Sequence, residues 1–164
     1  MKWILLISIL SMALFGLLAV MSGTGEAPEE LHKVTKVLDQ LHEFAAKADG
    51  ENYFDLFAPH AVFLGTDATE RWTIDEFKAY VQKRFETGKG WTYTLVPSKR
   101  FVTFAGDVAW FDELLENAKY GICRGSGVLR KIDGEWKIEQ YNLTLTVPNE
   151  AAEDVVKVIR ATPK

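Results

Sequence analysis

Gly121-Ile122-Cys123-Arg124-Gly125-Ser126-Gly127-Val128-Leu129-Arg130-Lys131-Ile132-Asp133-Gly134-Glu135-Trp136-Lys137-Ile138-Glu139-Gln140-Tyr141-Asn142-Leu143-Thr144-Leu145 is the stretch that decides the fold. Apolar and polar residues alternate on both sides of Asp133-Gly134. An Asp-Gly pair supplies the positive φ angles of a two-residue hairpin turn. Strands are predicted over residues 121–131 and 136–147. Two more candidates precede them, over 91–104 and 108–119, with turns at Gly106-Asp107 and Tyr120-Gly121.

Upstream the apolar period changes from two to three and four. Thr73-Ile74-Asp75-Glu76 is a capping box, in which the Thr hydroxyl and the Glu carboxylate each satisfy a free backbone amide. A helix from there carries Phe77, Tyr80, Val81 and Phe85 until Gly88 and Gly90 break it. A short strand is expected over 61–65 and a short helix over 52–57. Leu31, Val34, Leu38, Leu41, Ala45 and Ala48 mark one face of a longer helix over 28–49, which Gly50 should end. His32 and His42 lie off that stripe and are expected in solvent. Asn149 is read as the cap of an amphipathic helix over 150–160. Helices followed by a run of antiparallel strands predict an α+β domain, its helices packed in a strongly curved sheet.

Composition narrows the function. The 164 residues carry a net charge of -4 and no long basic run, which excludes a nucleic-acid partner. The one cysteine, Cys123, excludes an internal disulfide and is expected as a small buried residue. Lys2 followed by the apolar run to Val20 reads as a secretory signal over 1–22, with a retained membrane anchor as the alternative. Either reading puts the domain outside the cytoplasm, periplasmic or secreted, and touching a membrane only through an uncleaved leader. A linker is expected over 23–30, the domain over 31–148 and the C-terminal helix within 149–164.

Tyr53-Phe54-Asp55-Leu56-Phe57-Ala58-Pro59 and Ala61-Val62-Phe63-Leu64-Gly65-Thr66-Asp67 resemble the SnoaL-like branch of the NTF2-like superfamily. So do Asp107-Val108-Ala109-Trp110, Arg124-Gly125-Ser126-Gly127-Val128-Leu129 and Asp133-Gly134-Glu135-Trp136-Lys137-Ile138. The resemblance spans Leu31 to Pro148. It implies a cone-shaped fold whose relatives include isomerases, dehydratases, ligand binders and oligomerisation domains, so the fold alone transfers no activity. Two positions depart from the pattern: His60 stands where the family commonly has an acid, and Asn142 where it often has a His.

Strand alternation places Trp136, Ile138, Gln140, Asn142 and Thr144 on one face, read as the inside of the cone. Ile122, Arg124, Ser126 and Val128 share a face of the neighbouring strand. An inward Arg124 needs a carboxylate partner, and the adjacent strand offers Asp112, Glu113 and Glu116. Asp112 and Glu113 are the candidate general bases of an isomerase- or dehydratase-like reaction, Asp112 first. Tyr53, Phe57, Trp72 and Trp110 are expected to wall a pocket, with Arg124, Gln140 and Asn142 as its polar groups; the alternative for the aromatics is core. No metal-ligand spacing, phosphate loop or nucleophile elbow is present, so no metal or cofactor is expected. The leading expectation is a binder of a small, partly apolar molecule; the alternatives are that enzyme and a dimerisation scaffold. Tyr141, Leu143 and Leu145 are read as an apolar patch on the outer sheet face, which predicts a homodimer.

Overall fold

The computed structural model describes residues 26–163. The predicted leader and residues 23–25 of the expected linker lie outside them; residues 26–30, expected as linker, are helical instead. Helices α1 (Glu26–Lys47) and α2 (Gly50–Asp55) lead into strand β1 (Phe57–Leu64), short strand β2 (Arg71–Thr73) and helix α3 (Ile74–Phe85). Four long strands follow: β3 (Thr94–Ala105), β4 (Val108–Asn117), β5 (Gly121–Ile132) and β6 (Glu135–Leu145). A 3-10 turn (Asn149–Ala151) and helix α4 (Ala152–Ala161) close the chain. Among the described residues no helix is long and apolar enough to cross a membrane.

One six-stranded sheet runs β2-β1-β6-β5-β4-β3, antiparallel except where β1 lies parallel to β6. Its inner face packs on α1 through Val34, Leu38, Leu41 and Ala45, all buried, and on α3 through Phe77, Val81 and Phe85. Phe63 stacks on Phe77 at 3.8 Å between ring centroids, which fixes α3 against β1. The α+β domain expected from the element order, and the cone that the resemblance implies, are the fold observed.

Local signals hold where their partners are near in sequence. Asp133 and Gly134 have φ of 51° and 86°, and Ile132 pairs with Glu135 across the two-residue turn. The capping box of α3 is complete, with both Thr73 and Glu76 engaged. Gly50 does not end α1. The chain turns at Ala48, whose φ is 55°, and Gly50 opens α2 behind the cap supplied by Asp49. Asn149 makes no side-chain cap.

The faces of the strands differ from simple alternation. Between Val128–Gln140 and Leu129–Ile138, β6 takes two steps for one of β5, so Glu139 is an extra residue. Each extra residue inverts the faces of everything after it. Trp136 and Ile138 point inward as expected, but beyond the bulge the inward residues are Tyr141 and Leu143. Gln140 and Asn142 therefore lie on the convex face. Tyr141 and Leu143 form no outer patch, and a dimer cannot use them. In β4 the inward set is Ala109, Phe111, Glu113 and Leu115, which leaves Trp110 and Asp112 outside. Arg124 pairs in register with Leu114 on the same convex face. The expected pairing of Arg124 with Asp112 or Glu113 inside the cone is thus not made. Cys123 is buried, as read.

Candidate functional site

Among the described residues Glu113 is the one fully buried charged side chain of the core. Three elements converge on it. Helix α1 presents His42, whose Nε2 lies 2.7 Å from Glu113 Oε1. Strand β3 presents Arg100, whose Nε donates to Glu113 Oε2 at 2.7 Å. Strand β5 contributes an absence of bulk: a Cβ at Gly125 would stand 2.5 Å from the Tyr141 hydroxyl and 3.0 Å from Glu113 Oε1. Only glycine leaves room there for both groups.

Arg100 reaches the core through a deformation of its strand. Leu95 pairs with Leu115 and Arg100 with Glu113, so β3 spends three more residues than β4 across this interval. Ser98 takes up the turn with φ of 58°. The guanidinium Nη1 donates to Asp39 Oδ1 at 2.6 Å and to the Thr35 carbonyl at 3.4 Å. Its Nη2 is buried without a hydrogen-bond partner among the described residues.

Electrostatics follow from this geometry. Burial pushes the Glu113 pKa up; the His42 hydrogen bond and the charges of His42 and Arg100 outweigh it and hold it below the ordinary carboxylate value. Glu113 is therefore an acceptor at neutral pH. An acceptor at Oε1 places a proton on His42 Nε2 and leaves Nδ1 as the ring nitrogen not engaged by Glu113.

His42 also borders empty space. A void of about 20 Å³, enough for one water-sized group, is lined by His42, Tyr53, Tyr93 and Tyr141 among others. It shares Phe63, Trp91, Tyr93 and Leu143 with a larger cleft of about 740 Å³. The void thus adjoins the inner wall of the cleft. Trp72, Tyr80 and Trp91 wall the outer part, Trp72 stacking on Tyr80 at 5.0 Å, and Arg84, Glu70, Glu116 and Lys119 stand around it. Burial raises the pKa of Tyr53, and burial with the Glu113 charge raises that of Tyr141 well above the usual phenol. Tyr93 is pushed up to about 12, again chiefly by burial. All three remain hydroxyl donors at neutral pH.

The model of the SnoaL-like domain matches residues 34–148, most of the chain. The chain belongs to the SnoaL-like family. Among solved structures, a cystatin-like domain of unknown function from Nostoc punctiforme is 20% identical, with a TM-score of 0.64 over 83% of this chain and 88% of that one. A Mycobacterium tuberculosis protein of unknown function is 17% identical, TM-score 0.64, over 86% and 90%. A candidate dehydratase of the NTF2-like family from Streptomyces avermitilis is 11% identical, TM-score 0.63, over 74% and 99%. No curated protein matches the sequence.

Within this SnoaL-like domain the residues singled out by sequence divide three ways. Glu113, Tyr53 and Trp72 line the cone or its cleft. Phe57 is buried core, packed on Tyr53 at 5.4 Å. Trp110, Asp112, Arg124, Gln140 and Asn142 lie on the convex face, for the reasons of register given above. His42, Arg100, Tyr93, Trp91 and Tyr141 join the site unannounced. His42 is not in solvent; it sits one residue past Leu41 and four past Leu38, at the edge of the apolar stripe, and that edge turns to Glu113.

Proposed function

We propose that the domain binds a small, flat, largely apolar molecule in the cleft, with one polar end directed to the tyrosines at its base. The observation that carries this reading is an aromatic-walled cleft of about 740 Å³ that shares four wall residues with a void bordered by His42, Tyr53 and Tyr141. That volume lies in the range of about 300–1,000 Å³ usual for small-ligand sites, and the mix of apolar wall and few convergent polar groups is their usual chemistry. Crystallographic screening of phenols and cyclic ketones tests it. Fragments are expected between Trp72 and Trp91 with an oxygen toward Tyr93; fragments seated only outside the cleft overturn the reading.

The His42–Glu113 pair favours a second reading, proton transfer in the isomerase or dehydratase manner. Both Glu113 oxygens are engaged and the Arg100 charge helps to hold its carboxyl ionised, so it is a poor base; Nδ1 of a His42 ring protonated at Nε2 alone is the better one. Glu113 then orients the ring and stabilises the imidazolium, while tyrosine hydroxyls donate to a carbonyl oxygen as charge develops on it. Exchange of the α-hydrogens of cyclic ketones in D2O, followed by NMR, measures the step. His42→Gln is expected to lower the exchange by about 10²–10⁴-fold while fragments still bind. Equal exchange in the variant leaves the domain a binder.

A further inference from the structure

The cleft is walled by rings, but its charges are not evenly placed. Tyr80, Trp72 and Phe77 form a stack of nearly parallel rings, 5.0 Å and 5.6 Å between centroids and 21° between planes at each step. Tyr80, 61% exposed, is the outer end of that flat wall. Arg84 follows Tyr80 by one turn of α3, on the same side of the helix, and both line the cleft.

The Arg84 guanidinium is held but not neutralised. Its Nη2 donates to the Gly90 carbonyl at 2.8 Å. Gly90 is itself fixed, because a Cβ there would overlap the Ala45 carbonyl oxygen, and the next amide, of Trp91, donates to that same oxygen at 3.2 Å. The loop lies flat against the last turn of α1 and gives Arg84 a stationary anchor. Gly90 takes one of the five guanidinium N–H donors, and no carboxylate among the described residues pairs with the rest. The other charges of the cleft are differently disposed. Glu70 Oε2 accepts from the Asp67 amide at 3.1 Å and is packed over Gly65. Lys119 rests on Tyr120, its Nζ 4.7 Å from the ring centroid and 3.0 Å from the hydroxyl. It shares its wall with Glu116, whose charge opposes an anion there. An anion entering the cleft therefore meets its best partner at Arg84, whose planar fork matches a carboxylate.

We propose, building on the reading of the cleft above, that the ligand is an aryl or cyclic carboxylic acid. Its ring lies along the Trp72–Tyr80 wall, its carboxylate meets Arg84 at the mouth, and its other polar end reaches the tyrosines. The test compares a hydroxynaphthoate, with hydroxyl and carboxylate at opposite ends of the ring system, against the matching carboxamide. Titration calorimetry of the protein as isolated gives both dissociation constants at neutral pH, and far-UV circular dichroism confirms that each variant is folded. The wild type is expected to bind the acid about tenfold more tightly than the amide. Arg84→Gln should abolish that preference. Arg84→Lys should keep part of it, since the charge stays and the fork is lost. Lys119→Gln should leave the ratio of the two constants near the wild-type value. A preference that survives Arg84→Gln, or that Lys119→Gln removes, overturns the proposal. So does equal binding of the two probes by the wild type while phenols occupy the cleft in crystals; the cleft reading then stands without a carboxylate. If neither the probes nor the phenols enter the cleft, both readings fall together.

Discussion

At the scale of the residue, the domain's most consequential side chain is a carboxylate sealed from solvent. Glu113 is tolerable inside an apolar cone because Arg100 and His42 each meet one of its oxygens. Removing one partner should be worse than removing the charged pair. Arg100→Met leaves a buried carboxylate held by His42 alone, and should lower the unfolding free energy by about 3–5 kcal/mol. Glu113→Gln should cost less in the Arg100→Met background than in the wild type, because the two side chains share one interaction. Urea denaturation of the four proteins measures the cycle; additive costs would show that the two groups act independently. Little of this was readable beforehand. Glu113 stood among the candidates, but its partners were assigned to the wrong strand, since Arg124 and Arg100 are both plausible until a register exists.

At the scale of the element, α1 is tied to the β5–β6 hairpin by one acid. Glu30 accepts from Trp136 Nε1 at 2.6 Å and meets Lys131 at 3.0 Å and Lys33 at 3.1 Å. These groups, Lys131 first, hold its pKa down to about 2 from an ordinary 4.5. A folded pKa below the unfolded one stabilises above the unfolded value and is lost as pH falls through the folded value. Glu30→Gln should therefore melt below the wild type at pH 7, and the gap should narrow between pH 4.5 and about 2. A gap constant across that window would mean that the substitution acts by packing. Elements of this kind were largely legible. The capping box of α3 and the Asp133-Gly134 turn are written in adjacent residues, so their physics is complete within a few positions. The strand faces were not, because Glu139 and the Leu95–Arg100 interval are bulges defined only against neighbouring strands. Two cues existed. Pro97 within a strand argues for a bulge, and glycines at 125 and 127 mark a face where another side chain presses close. They would have turned Arg100 inward and Arg124 outward.

At the scale of the whole molecule, the order β2-β1-β6-β5-β4-β3 makes the last strand the one that joins the halves. β1 pairs only with β2 and β6, so nothing in the sheet links residues 57–73 to β3–β5 except β6. Their union closes a long loop before any contact rewards it, which is costly in entropy. A chain ending at Ile132 is expected to show no cooperative melt and to be digested rapidly by proteases, whereas one ending after α4 resists; cooperative melting of the shorter chain would refute this. Biosynthesis then acquires a definite sequence of events. While the ribosome is still adding residues, helices and hairpins can flicker but the cone has no wall to close against, and the polypeptide remains threadable. Formation of the cavity therefore waits on the emergence of β6, and before that strand is in place there is no wall within which a small molecule could be enclosed.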